Sequence, residues 1–466
     1  MTACVEIRKY SFSFLDSESR VLGQVNLEIG RGEFISILGA NGSGKTTLAL
    51  SMAGIIPHLL QGSFRGEVFV NNKNTLEHEI HDIVSDVGFL LQDYESQFFF
   101  STVEEEIRFQ LDNYGLLSEE RIKELSSELG ISHLLKRKFL DLSEGEKQKA
   151  LLASILSTDP SILVLDEPTS QLDALERESL LETLQQLNRK GKTIILITHD
   201  TLAAKYSSRY VVLSDGCVVE DSKDPLFLED EALSSYGVEP LNLKWGGSEA
   251  RKAAARAKIS VEDLCFREIL DGVNLEIMEG EFILLLGGNG SGKTTLLKHL
   301  NRLLDPDGGQ VLMDGKSLRE HSRRDIARNL GFLFQNPEHQ LFRNTVTGEV
   351  EYTLDILDAG EGKERVQEIL DLFDLKGFSD RSPQSLSAGE KQRLALASSL
   401  VSNPRIMVLD EPMTYLDFNG KKRLIGYLSE MKKQGRTIVV VSHQPRYYGS
   451  LADRTLLLDN GRLVEQ

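Results

Sequence analysis

Short apolar runs recur along the chain, each bounded by polar or glycine-rich residues. EFISIL at 33–38 and EFILLL at 281–286 both lead into glycine loops. ILVL at 162–165 and TIVVV at 437–441 have the length of buried strands. Between the strand-like runs lie helical patterns: SEERIKELSSELG at 118–130 places Ile122, Leu125 and Leu129 on one face. Buried strands alternating with helices predict an α/β class with parallel sheet. No run approaches the roughly 18 apolar residues of a membrane span, and the opening MTACVEIRKYSFSF lacks the apolar segment of a signal peptide. A role at a membrane would therefore need other chains to hold this one there.

The same pattern is written twice. LGANGSGKTTL at 38–48 returns as LGGNGSGKTTL at 286–296, and ILVLDEPTSQLD at 162–173 returns as IMVLDEPMTYLD at 406–417. DLSEGEKQKALLASIL at 141–156 returns as SLSAGEKQRLALASSL at 385–400, and TIILITHD at 193–200 as TIVVVSHQ at 437–444. Lys45 and Lys293 lie 248 residues apart; Glu167 and Glu411, like His199 and His443, lie 244 apart. The near-constant offset is that of a duplicated domain, not of a short-period solenoid. We expect a first domain over 1–225, a linker over 226–257 and a second domain over 258–466. The linker is polar, contains the only tryptophan, Trp245, and ends in ARKAAARAK, a run expected to be a solvated helical face. Its alternative is a basic contact for anionic lipid or RNA.

Charge and cysteine content narrow the function. The 466 residues carry a net charge of −18, which disfavours bulk nucleic-acid binding because phosphate neutralisation needs lysine and arginine. Cys4, Cys217 and Cys265 are far apart and form neither a metal-ligand spacing nor a disulfide framework, as suits a reducing cytosol.

The chemistry sits where apolar strands end. GANGSGKT (Gly39, Asn41, Gly42, Ser43, Gly44, Lys45, Thr46, followed by Thr47) fits the phosphate-loop pattern G-x-x-x-x-G-K-[ST]. GGNGSGKT (Gly287, Asn289, Gly290, Ser291, Gly292, Lys293, Thr294, followed by Thr295) fits it again. Glycines let backbone N–H groups wrap phosphates, and the following helix N-terminus adds a favourable dipole. Lys45 and Lys293 would reach the β- and γ-phosphates; Thr46 and Thr294 would hold Mg²⁺. Asp166 and Asp410 close buried strands and would bind the metal directly or through water, with Glu167 and Glu411 one residue on to polarise the attacking water. LSEGE and LSAGE each put a serine and a glycine before a helix, a second anion site in each half.

Together these motifs resemble ABC-type ATPase domains over nearly the whole chain, in the family order of Walker A, Q-loop, signature, Walker B, D-loop and H-loop. The resemblance implies two tandem P-loop NTPase domains, each with a RecA-like α/β core, an antiparallel β subdomain and a helical subdomain. It implies ATP and Mg²⁺ as cofactors and head-to-tail pairing of the halves. One site would then combine Gly39–Thr46, Gln92, Asp166, Glu167 and His199 with Ser387, Gly389 and Asp417. The other would combine Gly287–Thr294, Gln335, Asp410, Glu411 and His443 with Ser143, Gly145 and Asp173. His199 and His443 would contact the γ-phosphate, and Gln92 and Gln335 the metal or its water.

Two departures from the family pattern burden the second site. The family stacks an aromatic on adenine, and Phe14 in KYSFSF stands at that place, with Tyr10 and Phe12 nearby. The second half is shorter there: EDLCFREIL has no aromatic at the expected position, and Phe266 is the nearest. The signature usually has glycine at its third position; here Glu144 and Ala388 stand there, and Glu144 would bring a carboxylate near the second site's triphosphate. We expect ATP to bind the second site more weakly.

LLQDYESQFFFSTVEEEI at 90–107 and FLFQNPEHQLFRNTVTGEV at 332–350 share two glutamines and a T-V-x-x-E-[IV] box. This stretch resembles the extended Q-loop of energy-coupling factor (ECF) transporter ATPases, prokaryotic importers of vitamins and transition metals. In that family it receives helices of a transmembrane partner. The resemblance gives Gln97, Phe98, Phe99, Phe100, Gln340, Leu341 and Phe342 a docking role; ordinary core is the competing reading. It implies a transmembrane scaffold (T-type) and a small substrate-binding (S-type) membrane protein as partners, at the cytoplasmic face of the cell membrane. The rival readings are the ATPase of a sugar or peptide importer and a soluble tandem ABC protein acting on ribosomes.

Overall fold

Five-residue strands of almost pure Ile, Leu and Val lie at the centre of each half of the computed structural model. Phe34–Leu38, Ile162–Asp166 and Thr193–Ile197 are buried at every position, as are Ile406–Asp410 and Thr437–Val441. Such strands have helices or sheet on both faces, which is why they do not alternate with polar residues. The structure describes residues 3–15, 20–92, 94–170, 172–243, 245, 256–358 and 362–465.

The chain divides into two units, Met1–Leu243 and Lys244–Gln466. In the first, Phe34–Leu38 runs parallel to Thr193–Ile197 on one side and Arg209–Ser214 on the other. Ile162–Asp166 and Val87–Leu90 extend the parallel set, and Cys217–Ser222 closes the opposite edge antiparallel. A separate four-stranded antiparallel sheet is built on Ala3–Phe14, flanked by Leu22–Gly30 and Gly62–Val70. The second unit repeats both sheets in corresponding order. Each unit also carries a helical portion. The helix Glu119–Glu128 forms on the anticipated pattern, capped by Ser118, with Ile122 and Leu125 buried. The fold class is thus two tandem α/β units with the expected antiparallel β and helical additions.

The stretch expected as a linker is divided between the units. Two 3₁₀ turns, Pro225–Glu229 and Glu231–Tyr236, bury Leu228 and Leu233 against Leu38, Tyr210 and Val212 of the first unit. The Thr201 hydroxyl donates to the Glu239 carbonyl at 2.9 Å, fixing this extension beside the segment that follows His199. Trp245 packs edge-on against Tyr447 and Phe418 of the second unit, with ring centroids 5.0 and 5.8 Å away. Most of ARKAAARAK lies outside the described residues. Its end is not the expected helical face: Lys258 is buried in the strand Ala257–Phe266 and paired with Asp314 at 2.8 Å.

Candidate active sites

The glycine loops take the shape their spacing requires. Gly39 has φ +157°, and a Cβ there would lie 2.2 Å from the Leu213 carbonyl oxygen; Gly287 repeats this at 2.4 Å from that of Leu458. Only glycine lets the loop pass so close to the neighbouring strand. Lys45 is buried and donates to the carbonyls of Gly39 and Ala40, both at 2.8 Å. Lys293 does the same to Gly287 and Gly288. The Ser43 and Ser291 hydroxyls are buried with no hydrogen-bond partner among the described residues. Asn41 and Gly42 stand at the exposed tip of the first loop, and Thr46 and Thr47 open the helix Lys45–Met52. In the second unit, Asn289, Gly290, Thr294, Thr295 and Gln335 line one pocket of about 260 Å³ with Lys293, Asp410, Glu411 and His443. The geometry therefore gathers these sequence-predicted residues of the second half.

The acid pairs sit at the carboxyl ends of central strands, where ligands of open α/β sheets bind. Both oxygens of Asp166 are buried beside the Thr46 hydroxyl, and neither makes a well-formed hydrogen bond among the described residues. Burial pushes its carboxyl up to about 6, with the Thr46 hydroxyl opposing. Asp410 accepts from the Thr294 hydroxyl at 2.6 Å, and burial raises its pKa as well. A hydroxyl and a buried carboxylate form a hard-oxygen set suited to Mg²⁺.

Glu167 and Glu411 adopt left-handed backbone, φ +49° and +48°. That conformation costs non-glycine residues about 1–3 kcal/mol and clusters at functional sites. The two glutamates then part ways. Glu167 Oε1 lies 2.8 Å from His199 Nδ1, and Thr198 donates to Oε2 at 3.3 Å. Burial opposes ionisation of Glu167, but His199 together with Lys45 outweighs it and holds the carboxyl below its ordinary range. Among the described residues, the Glu411 carboxylate meets His443 Nε2 at 3.2 Å and the His443 backbone N–H at 3.3 Å. Burial and the neighbouring Asp410 push its carboxyl up to about 8.

Ser143 and Ser387 cap the helices Glu144–Leu156 and Ala388–Leu400. Each closes a capping box with the glutamate three residues on, Glu146 or Glu390, whose carboxylate accepts the serine N–H at 2.8 Å. This S-x-x-E signal is plain in LSEGE and LSAGE. Gly145 and Gly389 are buried in the first turn of these helices, while Asp173 and Asp417 cap the helices that follow the acid pairs. Glu144 does not stand alone: its carboxylate meets Lys147 Nζ at 3.0 Å, which weakens the repulsion expected from it.

Phe14 is 37 % exposed and sits edge-on to Phe12, with centroids 4.9 Å apart. Tyr10 is buried on Ser51 and Phe266 on His299, so neither offers a face to a base.

The proposed docking residues separate into two sets. Phe98 stacks on Phe139 at 3.8 Å against the core, and Leu341 is 6 % exposed within the second unit's core. These two side chains turn inward and anchor the loop, Leu341 within the core and Phe98 half-buried at its edge. Gln97 staples that loop to Leu91 N–H and the Phe89 carbonyl, and Gln340 binds Phe334 N–H and the Ala395 carbonyl. Phe99 and Phe342 remain outward, 74 % and 59 % exposed, with Phe100 partly so. Phe342 borders a mainly apolar groove of about 350 Å³ with Phe332, Phe334, Tyr352 and Ile356. The buried glutamates of the T-V-x-x-E boxes, Glu106 and Glu349, were given no role from sequence. Glu106 accepts the N–H groups of Phe99 and Phe100.

Residues 22–170 and 270–414 match the family described as ABC transporter. The chain belongs to that family. A protein of Methanosarcina acetivorans, named as an ABC transporter ATP-binding protein, is 35% identical over 99% of this chain and 90% of its own. One of Caldanaerobacter subterraneus subsp. tengcongensis, similarly named, is 32% identical over 98% and 90%. A chain in a structure of ribosome-bound archaeal Pelota and ABCE1 matches with TM-score 0.71 at 21% identity, covering 97% of this chain and 78% of that one; this likeness shows the fold alone. The tandem ABC chain is an ATP-binding ATPase. No helix among the described residues is long and apolar enough to cross a membrane.

Proposed function

We propose that this ABC ATPase is the energy-coupling subunit of an ECF-type importer for a vitamin, a vitamin precursor or a transition metal. The observation that carries the reading is the exposed Phe342 beside its groove, set on a glutamine-stapled loop directly after Gln335 and its neighbours. Phe99, Phe100 and Phe109 form a corresponding apolar patch in the first unit, with the Phe100 and Phe109 rings 4.8 Å apart. Such patches suit the apolar face of a partner's helix. The partners are a multi-span scaffold and a small substrate-binding membrane protein, and the chain works peripherally at the cytoplasmic membrane face.

Within each unit the phosphate loop and its lysine bind the triphosphate. Thr46 with Asp166, and Thr294 with Asp410, would hold Mg²⁺, which supplies charge neutralisation of the phosphates. Glu167 and Glu411 orient and polarise the attacking water, and His199 and His443 position them. Gln92 and Gln335 tie nucleotide state to the docking loops.

Purification of the tagged chain from native membranes in mild detergent, with mass spectrometry of what accompanies it, tests the assignment. A multi-span protein with a small hydrophobic one supports it. Ribosomal proteins, with the chain absent from membranes, would leave the ATPase standing and overturn the transporter role.

A further inference from the structure

The hairpin tip beside each glycine loop differs between the units in a way that places one planar group for another. In the first unit Phe12 pairs with Leu22, and the strand runs on to Phe14 before turning. In the second, Phe266 pairs with Leu270, and only Arg267, Glu268 and Ile269 close the turn. Phe12 and Phe266 are thus equivalent, both buried. On the Phe12 ring sits Phe14, centroid to centroid 4.9 Å. On the Phe266 ring sits the Arg267 guanidinium, its carbon 5.0 Å from the centroid.

Three further features suit Arg267 to a ligand. Its backbone is pinned at the tip, where its N–H donates to Asp307 Oδ2 at 2.7 Å. Its side chain is exposed, and its guanidinium makes no ion pair or hydrogen bond among the described residues. Ile269, two residues on, lines the pocket formed by Gly292, Lys293 and Thr294. A planar, weakly hydrated cation backed by an aromatic ring presents a face to which a purine adds as a second layer.

We propose that Arg267 is the base platform of the second nucleotide site, stacking on adenine where the first site uses Phe14. The inference rests on reading the 287–294 loop as a nucleotide site. It also changes the cause of any difference between the sites: the second has not lost its platform but exchanged a ring for a guanidinium.

The test uses the full chain carrying Lys45→Ala, so that binding reports the second site, and calorimetric affinities for ATP and for inorganic tripolyphosphate. Arg267→Ala is expected to weaken ATP about tenfold and tripolyphosphate much less. Arg267→Tyr should restore ATP binding; Arg267→Lys, charged but not planar, should not. Equal loss for ATP and tripolyphosphate would mean that Arg267 acts only as a charge, and the platform is overturned. Unchanged ATP affinity in Arg267→Ala overturns it as well. No ATP binding in the Lys45→Ala chain with Arg267 intact would overturn the nucleotide reading of the second loop, and this inference with it.

Discussion

The buried carboxylate of Glu349 accepts the backbone N–H of Phe342 at 2.8 Å and that of Arg343 at 2.7 Å. The helix Val346–Leu357 carries this carboxylate in its first turn, so one acid holds the loop that presents Phe342. Removing it leaves two N–H groups without their acceptor, at about 1–3 kcal/mol each where they stay dry. Glu349→Ala should lower stability by roughly 2–4 kcal/mol in urea unfolding and release the accompanying membrane proteins. Retention of both stability and partners would show that the loop is held by something else.

The split between inward and outward side chains predicts opposite phenotypes for adjacent residues. Phe98→Ala removes a half-buried ring stacked on Phe139 and should destabilise by about 1–3 kcal/mol. Phe99→Ser and Phe342→Ser alter exposed rings and should leave unfolding within about 0.5 kcal/mol of wild type, with basal ATP hydrolysis retained and membrane partners lost on purification. If Phe342→Ser keeps its partners, the groove is not the docking surface.

The phosphate loops, acid pairs and signatures were legible in the sequence because each needs particular residue types at fixed spacing. A loop that wraps phosphate cannot tolerate a Cβ at Gly39 or Gly287. The orientation of Phe98 against Phe99 was not legible. Neither strand nor helix imposes a period there, and the outcome depends on Glu106, seven residues after Phe99, drawing in two backbone N–H groups. How the expected linker packs was not legible for a related reason: 226–243 mixes apolar with acidic and small polar residues and keeps no period, yet Leu228, Leu233 and Val238 cover an apolar patch made by distant strands. Glu144 looked like a bare charge because its pairing with Lys147 depends on the helix that begins there.

Asymmetry between the sites remains an expectation with a direct measurement. The two differ at Phe14 against Arg267, and at Glu167 against Glu411. ATP should bind more weakly to the chain carrying Lys45→Ala, which leaves the second loop, than to the chain carrying Lys293→Ala. A difference of about threefold is expected, less than the loss of a whole base-stacking contact, because Arg267 exchanges one stacking group for another. Equal residual affinities in nucleotide titrations would remove the asymmetry.

The two glutamates also predict different responses to pH in the nucleotide-free chain. Glu411 is raised to about 8 against an ordinary 4.5. A carboxyl whose folded pKa is raised binds its proton more tightly when folded, so its contribution is fully present below pH 4.5 and is lost as pH rises through about 8. Glu167 is lowered instead, so its contribution is present above its ordinary 4.5 and fades in acid. Glu411→Gln keeps the shape and removes the titration. Its melting temperature should exceed that of wild type at pH 8, with the gap closing toward pH 5. Glu167→Gln should instead lose stability relative to wild type at pH 8, because it gives up an ionised partner for His199. Parallel pH profiles for the two variants in thermal unfolding would show that His199 and His443 treat their glutamates alike, against the 2.8 and 3.2 Å contacts that distinguish them.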